Sequence, residues 1–126
     1  MKKLLIGILL CVASFSYAEC FNTKALAICI KGDGPCEWTE WEPCEIPICL
    51  TNESINIYSK VTQRYKVLTF KDESTFTEVL WKYFCIDQDG DRCNVRFRQY
   101  TENGSKQSQL YIEYNDIVWV YDITQE

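Results

Sequence analysis

The residues in this chain that could do chemistry are eight cysteines, two tryptophans three positions apart, and scattered acids. Histidine is absent, which removes Ser-His-Asp and Cys-His hydrolysis and the usual His-containing zinc sites. A nucleophilic thiol needs a depressed pKa and shelter from oxidation, and nothing beside these cysteines advertises either. With 18 acids some carboxylate pair always exists, and its ordinary role is surface solvation. No glycine-rich phosphate loop is present. The chain is therefore not expected to be an enzyme, nor to need a metal or cofactor. Recognition remains, and the tryptophans are its best carriers.

Trp38 and Trp41 lie in CEWTEWEPCEIPIC, Cys36 to Cys49. On a flat strand side chains alternate, so a spacing of three would send the two indoles to opposite faces. A helix would align them, but Pro35 and Pro43 confine it to about two turns, too short to be stable. A polyproline-II-like, rippled strand has a period of three and puts both rings on one side, roughly 9 Å apart. That gap admits a guanidinium or ammonium, at about 0.5–2 kcal/mol per contact. Arg64 and Lys66, and likewise Arg96 and Arg98, are two apart and share a strand face, so these four are the candidate cations.

Cys36, Trp38, Trp41 and Cys44 resemble the C-x-W-x-x-W-x-x-C opening of the thrombospondin type 1 repeat, with Cys49 similar to the next cysteine of that family. The resemblance implies a rippled first strand whose tryptophans interleave with arginines of the next, capped by disulfides, in an extracellular adhesion module. The chain departs from the family where Leu50 follows Cys49 in place of glycine, and where Arg64 stands far from that cysteine. Ile48 occupies the position of the family's O-fucosylated Ser or Thr. Heparin-like glycans are a common ligand class of the family.

The compartment is read from the N-terminus. Lys2 and Lys3, the apolar run Leu4 to Val12, and small residues Ser16 and Ala18 form a secretory signal peptide at 1–18. Leu10 and Glu19 precede Cys11 and Cys20 where a lipoprotein signal has small residues. No later run approaches the roughly 20 apolar residues of a membrane span, so residues 19–126 are expected as one secreted domain without membrane insertion. Cleavage there removes two lysines and no acids, taking the formal net charge from −5 to −7. That argues against nucleic acid and lowers the case for polyanionic glycans, though a local basic strip acts within a Debye length of about 8 Å. Asn52 and Asn103 head N-glycosylation triplets.

Seven cysteines then remain, Cys20, Cys29, Cys36, Cys44, Cys49, Cys85 and Cys93, and an oxidising compartment makes them a disulfide framework. An odd number cannot close on itself, so a monomer with one free thiol and a dimer joined through Cys20 are both open. A cut after Cys20 would leave an even six. One pair follows from local geometry: in Asp87-Gln88-Asp89-Gly90-Asp91 a three-residue hairpin with Gly90 left-handed sets Cys85 opposite Cys93, within disulfide reach. The same run is a poor calcium loop, since the sixth and twelfth positions from Asp87 hold Arg92 and Arg98.

The elements that must position all this are strands. Short alternating runs rich in Val, Ile, Tyr, Phe and Trp predict strands over 56–70 with an interruption, then 77–86, 92–100, 107–114 and 117–123. Turns fall at Gly32-Asp33-Gly34-Pro35, the 101–105 cluster and Asn115-Asp116. Residues 23–28 fit one helical turn or a short strand. The last strand is apolar on both faces and so must be central or covered. The expected fold is a small, disulfide-rich, mainly β domain: an antiparallel meander preceded by a rippled, tryptophan-bearing strand. The expected function is a secreted, non-catalytic binding or adhesion module for an extracellular protein or glycan. The alternative is a cysteine-rich inhibitor or effector presenting a loop such as 50–59.

Overall fold

The structure, a computed structural model, describes residues 19–31 and 36–124. The expected signal peptide at 1–18 and the expected turn at Gly32-Asp33-Gly34-Pro35 lie outside these residues. Strands account for most of what is described: β1 (Glu19–Ile30), β2 (Glu37–Trp38), β3 (Glu42–Pro43), β4 (Pro47–Leu50), β5 (Ser54–Tyr58), β6 (Thr62–Asp72), β7 (Glu78–Ile86), β8 (Arg92–Glu102), β9 (Ser105–Glu113) and β10 (Ile117–Thr124). From β4 onward each pairs antiparallel with the next, and β10 returns to β1. The meander therefore closes into a barrel, in which the first and last strands, the edges of an open sheet, pair with each other. Residues 23–28 are strand, because β1 is sandwiched between β10 and the returning chain. Among the described residues no helix is long and apolar enough to cross a membrane.

β2, β3 and β4 are three pieces of one stave, all pairing with β1, with Trp38 opposite Cys29, Pro43 opposite Ala25 and Cys49 opposite Cys20. Proline at 43 and 47 and the single-residue slips between pieces break the ladder, so this stave ripples. Its lower part is held on both sides, because β5 pairs with Ile48–Leu50. Its upper part is paired only with β1 among the described strands.

Alternation divides each strand between interior and exterior. Ile48, Ile55, Ile57, Val95, Leu110 and Ile112 are fully buried inside. Toward one mouth the interior turns aromatic, with Phe97 stacked on Phe21 at 5.3 Å between centroids and tilted against Trp81 at 5.1 Å. Last-strand apolarity has the expected explanation: Tyr121 and Ile123 face inward, while Val118 and Val120 lie on the outer wall yet stay buried, beside Cys29 and Ala27 of β1.

The turn chemistry sets the registers. Gly90 is left-handed at φ 89°, and Cys85 lies opposite Cys93 in a register that runs unbroken from Glu78–Tyr100 to Ile86–Arg92. Asn103 and Gly104, at φ 52° and 80°, form the two-residue turn between β8 and β9.

Cysteine pairing departs from expectation. Cys20 bonds Cys49, with 4.1 Å between their Cα atoms, and Cys29 bonds Cys36. Cys20 is thus closed within the chain and is no longer the candidate for a dimer link. Cys44, Cys85 and Cys93 carry free thiols, so the Cys85–Cys93 bridge is not made although its register is right. The ladder explains the difference. Asp87 N–H donates to the Asp91 carbonyl at 2.8 Å, so that pair, and the Cys85/Cys93 pair two positions on, are hydrogen-bonded sites where Cβ atoms stand further apart. Thr23 N–H donates to the Ile46 carbonyl at 3.1 Å, which makes Cys20/Cys49, three positions away, the closer non-hydrogen-bonded kind.

Burial pushes the Cys85 thiol up to about 12 and the Cys93 thiol up to about 11. In the native protein at about pH 8, iodoacetamide should therefore modify Cys44 and spare the other two, whose thiolate fractions are on the order of 10⁻⁴ and 10⁻³. Unfolding should bring all three into reaction, read by intact mass. A single reactive thiol after unfolding would mean that Cys85 and Cys93 are bridged.

Candidate functional site

Trp38 and Trp41 stand on the outer wall, each about half exposed (47% and 49%). The slip between β2 and β3 brings both indoles to one side, as a rippled strand requires. Together with Thr39 they border a groove of about 350 Å³ over Ala27, Tyr111 and Val120. Local bonds hold the segment: Thr39 N–H donates to the Ile28 carbonyl at 2.8 Å, and Ile28 N–H donates to Thr39 Oγ1 at 2.9 Å. The Cys29–Cys36 disulfide anchors the chain just before Trp38.

The expected cations are elsewhere. Arg64 Nε donates to Asn56 Oδ1 at 3.1 Å, on the outer face of the β5–β6 hairpin. Lys66 is exposed on the same face, opposite Ser54. Arg98 donates to Glu78 Oε1 and lies over the Tyr100 ring at 4.0 Å. Arg96 lies over Tyr111 at 4.3 Å and pairs with Glu113 at 3.4 Å. Among the described residues the cations seen over rings sit on Phe84, Tyr100 and Tyr111, and the interleaved tryptophan-arginine stack is not formed. Closure is the reason: the tryptophans follow β1, whereas Arg64 is carried away on β6 with β5 between. Arg96 is stacked on the Tyr111 that also lines the tryptophan groove.

Tyr111 was not singled out by sequence reasoning, although a signal existed. Asn103-Gly104 makes a two-residue hairpin, and that register alone sets Tyr111 opposite Arg96. Its proximity to Trp38 and Trp41 had no local signal, because it depends on β10 and β1 lying between. A second concavity, of about 210 Å³, opens at the aromatic mouth and is lined by Leu50, Phe70, Trp81 and Tyr83 with Glu19, Thr51 and Asn52 at hand. Asn52 and Asn103 are exposed turn residues at that same end of the barrel.

The Asp87 run at the other end is structural. Asp87 Oδ1 accepts the N–H of Asp89 and of Asp91, each at 2.9 Å, and Oδ2 accepts the Tyr114 hydroxyl at 2.7 Å. These bonds, Tyr114 first, hold the Asp87 carboxyl below its ordinary 3.8. A depressed acid stabilises the fold fully above its unfolded pKa and loses that contribution as pH falls through the folded one. Tyr114→Phe should therefore raise the Asp87 pKa, measured by carboxyl NMR titration, and should remove part of the pH-dependent loss of stability below about pH 4. An unmoved Asp87 titration would remove Tyr114 as its main partner.

No protein-family model, curated protein or solved structure matches this chain.

Proposed function

We propose that this protein is a secreted, non-catalytic binding module that holds an extracellular protein or glycan in the Trp38/Trp41 groove. One observation carries the reading: two large aromatic residues, which a fold normally buries, stand half exposed side by side over a groove anchored by a disulfide. Indoles so placed supply contact area at little entropic cost, as binding hot spots do. The resemblance of residues 36–44 to a thrombospondin repeat supports the same use of an outward-facing tryptophan strand. Against catalysis stand the missing histidine and the burial that keeps the Cys85 and Cys93 thiols protonated.

The inhibitor or effector reading needs a protruding loop. Residues 50–59 do not supply one, since Leu50, Ile55 and Ile57 are buried in the barrel. The β6–β7 hairpin does, with Phe76 fully exposed at its tip. A panel of glycosaminoglycans, extracellular proteins and proteases should be screened with the wild type, the double variant Trp38→Ala/Trp41→Ala, and Phe76→Ala. Loss of a wild-type interaction in the tryptophan variant alone is the expected result. Loss only in Phe76→Ala would transfer the function to the hairpin tip.

A further inference from the structure

The segment that carries the two tryptophans is of one charge. From Cys36 to Ser59 the chain carries five acids and no base, and Glu37, Glu40, Glu42 and Glu45, interleaved with the tryptophans, are all exposed. On the Tyr111 side of the groove Arg96 is stacked on that ring and paired through Nη2 with Glu113, while its Nε is buried without a hydrogen-bond partner. Indole faces attract cations through their quadrupole, and carboxylates within a Debye length add a field of the same preference. An anionic glycan meets repulsion here. A neutral sugar would use the rings but leave the acids without a role.

Resting on the groove as the binding site, we infer that its ligand is a basic stretch of an extracellular protein, with an arginine or lysine side chain seated against Trp38 and Trp41 and its neighbours facing the glutamates. Arginine is the better fit, because a planar, weakly hydrated guanidinium stacks on an indole face and can still donate to carboxylates at its edge. The Arg96–Tyr111 contact shows the same chemistry within the chain, a guanidinium over a ring with a glutamate alongside.

The test uses fluorescent peptides of alternating arginine and serine, the lysine equivalent, and the citrulline equivalent, which keeps arginine's shape without its charge. The secreted protein should bind the arginine peptide most tightly, the lysine peptide less, and the citrulline peptide at least about tenfold more weakly. Trp38→Ala and Trp41→Ala should each weaken arginine-peptide binding about tenfold, while far-UV circular dichroism stays unchanged because both side chains are half exposed. Changing Glu37, Glu40, Glu42 and Glu45 together to glutamine should cost about five- to tenfold and flatten the dependence on salt. Equal binding of the citrulline peptide, or tryptophan variants that bind as the wild type does, would overturn the inference. Absence of peptide binding, alongside tryptophan-dependent capture of a neutral glycan in the screen, would overturn the ligand class and leave the groove standing. Self-association lost both in Trp38→Ala/Trp41→Ala and in Arg64→Gln/Lys66→Gln would replace the foreign peptide with a second copy of this chain.

Discussion

Phe97→Ala is expected to be the most damaging single substitution in the barrel, lowering stability by about 3–5 kcal/mol. Phe97 is 2% exposed and its ring meets Phe21 from β1 and Trp81 from β7, so its removal empties the place where three strands lean together. The loss comprises the transfer term of the ring and the cavity left behind, which closed β walls collapse into poorly. Against a total of about 5–15 kcal/mol for a domain of this size, the variant should be partly unfolded at ordinary temperature. Phe76→Ala is the matched control: the same chemical change at a fully exposed hairpin tip should stay within about 0.5 kcal/mol. Urea unfolding followed by tryptophan fluorescence measures both. Similar midpoints for the two variants would contradict the placement of Phe97 inside.

Next in size is the loss of the Cys20–Cys49 bond. It closes a loop of 29 residues, and chain entropy assigns it about 3.6 kcal/mol, against about 2.4 kcal/mol for Cys29–Cys36 with a separation of 7. The longer loop also spans β1 and the whole rippled stave, whose regular pairing is confined to short pieces. Cys20→Ser/Cys49→Ser should therefore melt well below Cys29→Ser/Cys36→Ser in parallel thermal scans. The reverse order would show that native contacts around Cys36 outweigh the entropy of the longer loop. The Cys29–Cys36 pair has another consequence: without it the anchor before Trp38 is gone, and the groove should lose ligand affinity more than the fold loses stability.

Features set by neighbouring residues are legible in the sequence. The β7–β8 register followed from Gly90 in a three-residue turn, because turn chemistry is a property of four or five neighbouring residues and transmits strictly along a ladder. The strands after residue 54 were visible for the same reason, as alternation and β-branching are local. β1 was not. Its run ECFNTKALAICI has weak strand propensity, and it is a strand because β10 and the rippled stave pair with it from either side. The cysteine pairs divide along the same line. Facing positions were legible for Cys85 and Cys93, but whether a facing pair bonds turned on the alternation of hydrogen-bonded and open sites.

The sequence by itself determined a mainly β, cysteine-rich chain without histidine chemistry, the turn-set registers, and an acidic segment with two indoles on one side. Each of these depends on residue type and short-range geometry. Only the tertiary structure decided that the meander closes, and closure settled the rest. By bringing β10 back to β1 it buried Val118 and Val120 on the outer wall, set Tyr111 within reach of the tryptophans, and carried Arg64 and Lys66 away from them. Pairings between residues about 90 to 100 positions apart, such as Ala27 with Val120, depend on how many strands complete the circle, and no local stretch of the chain encodes that number.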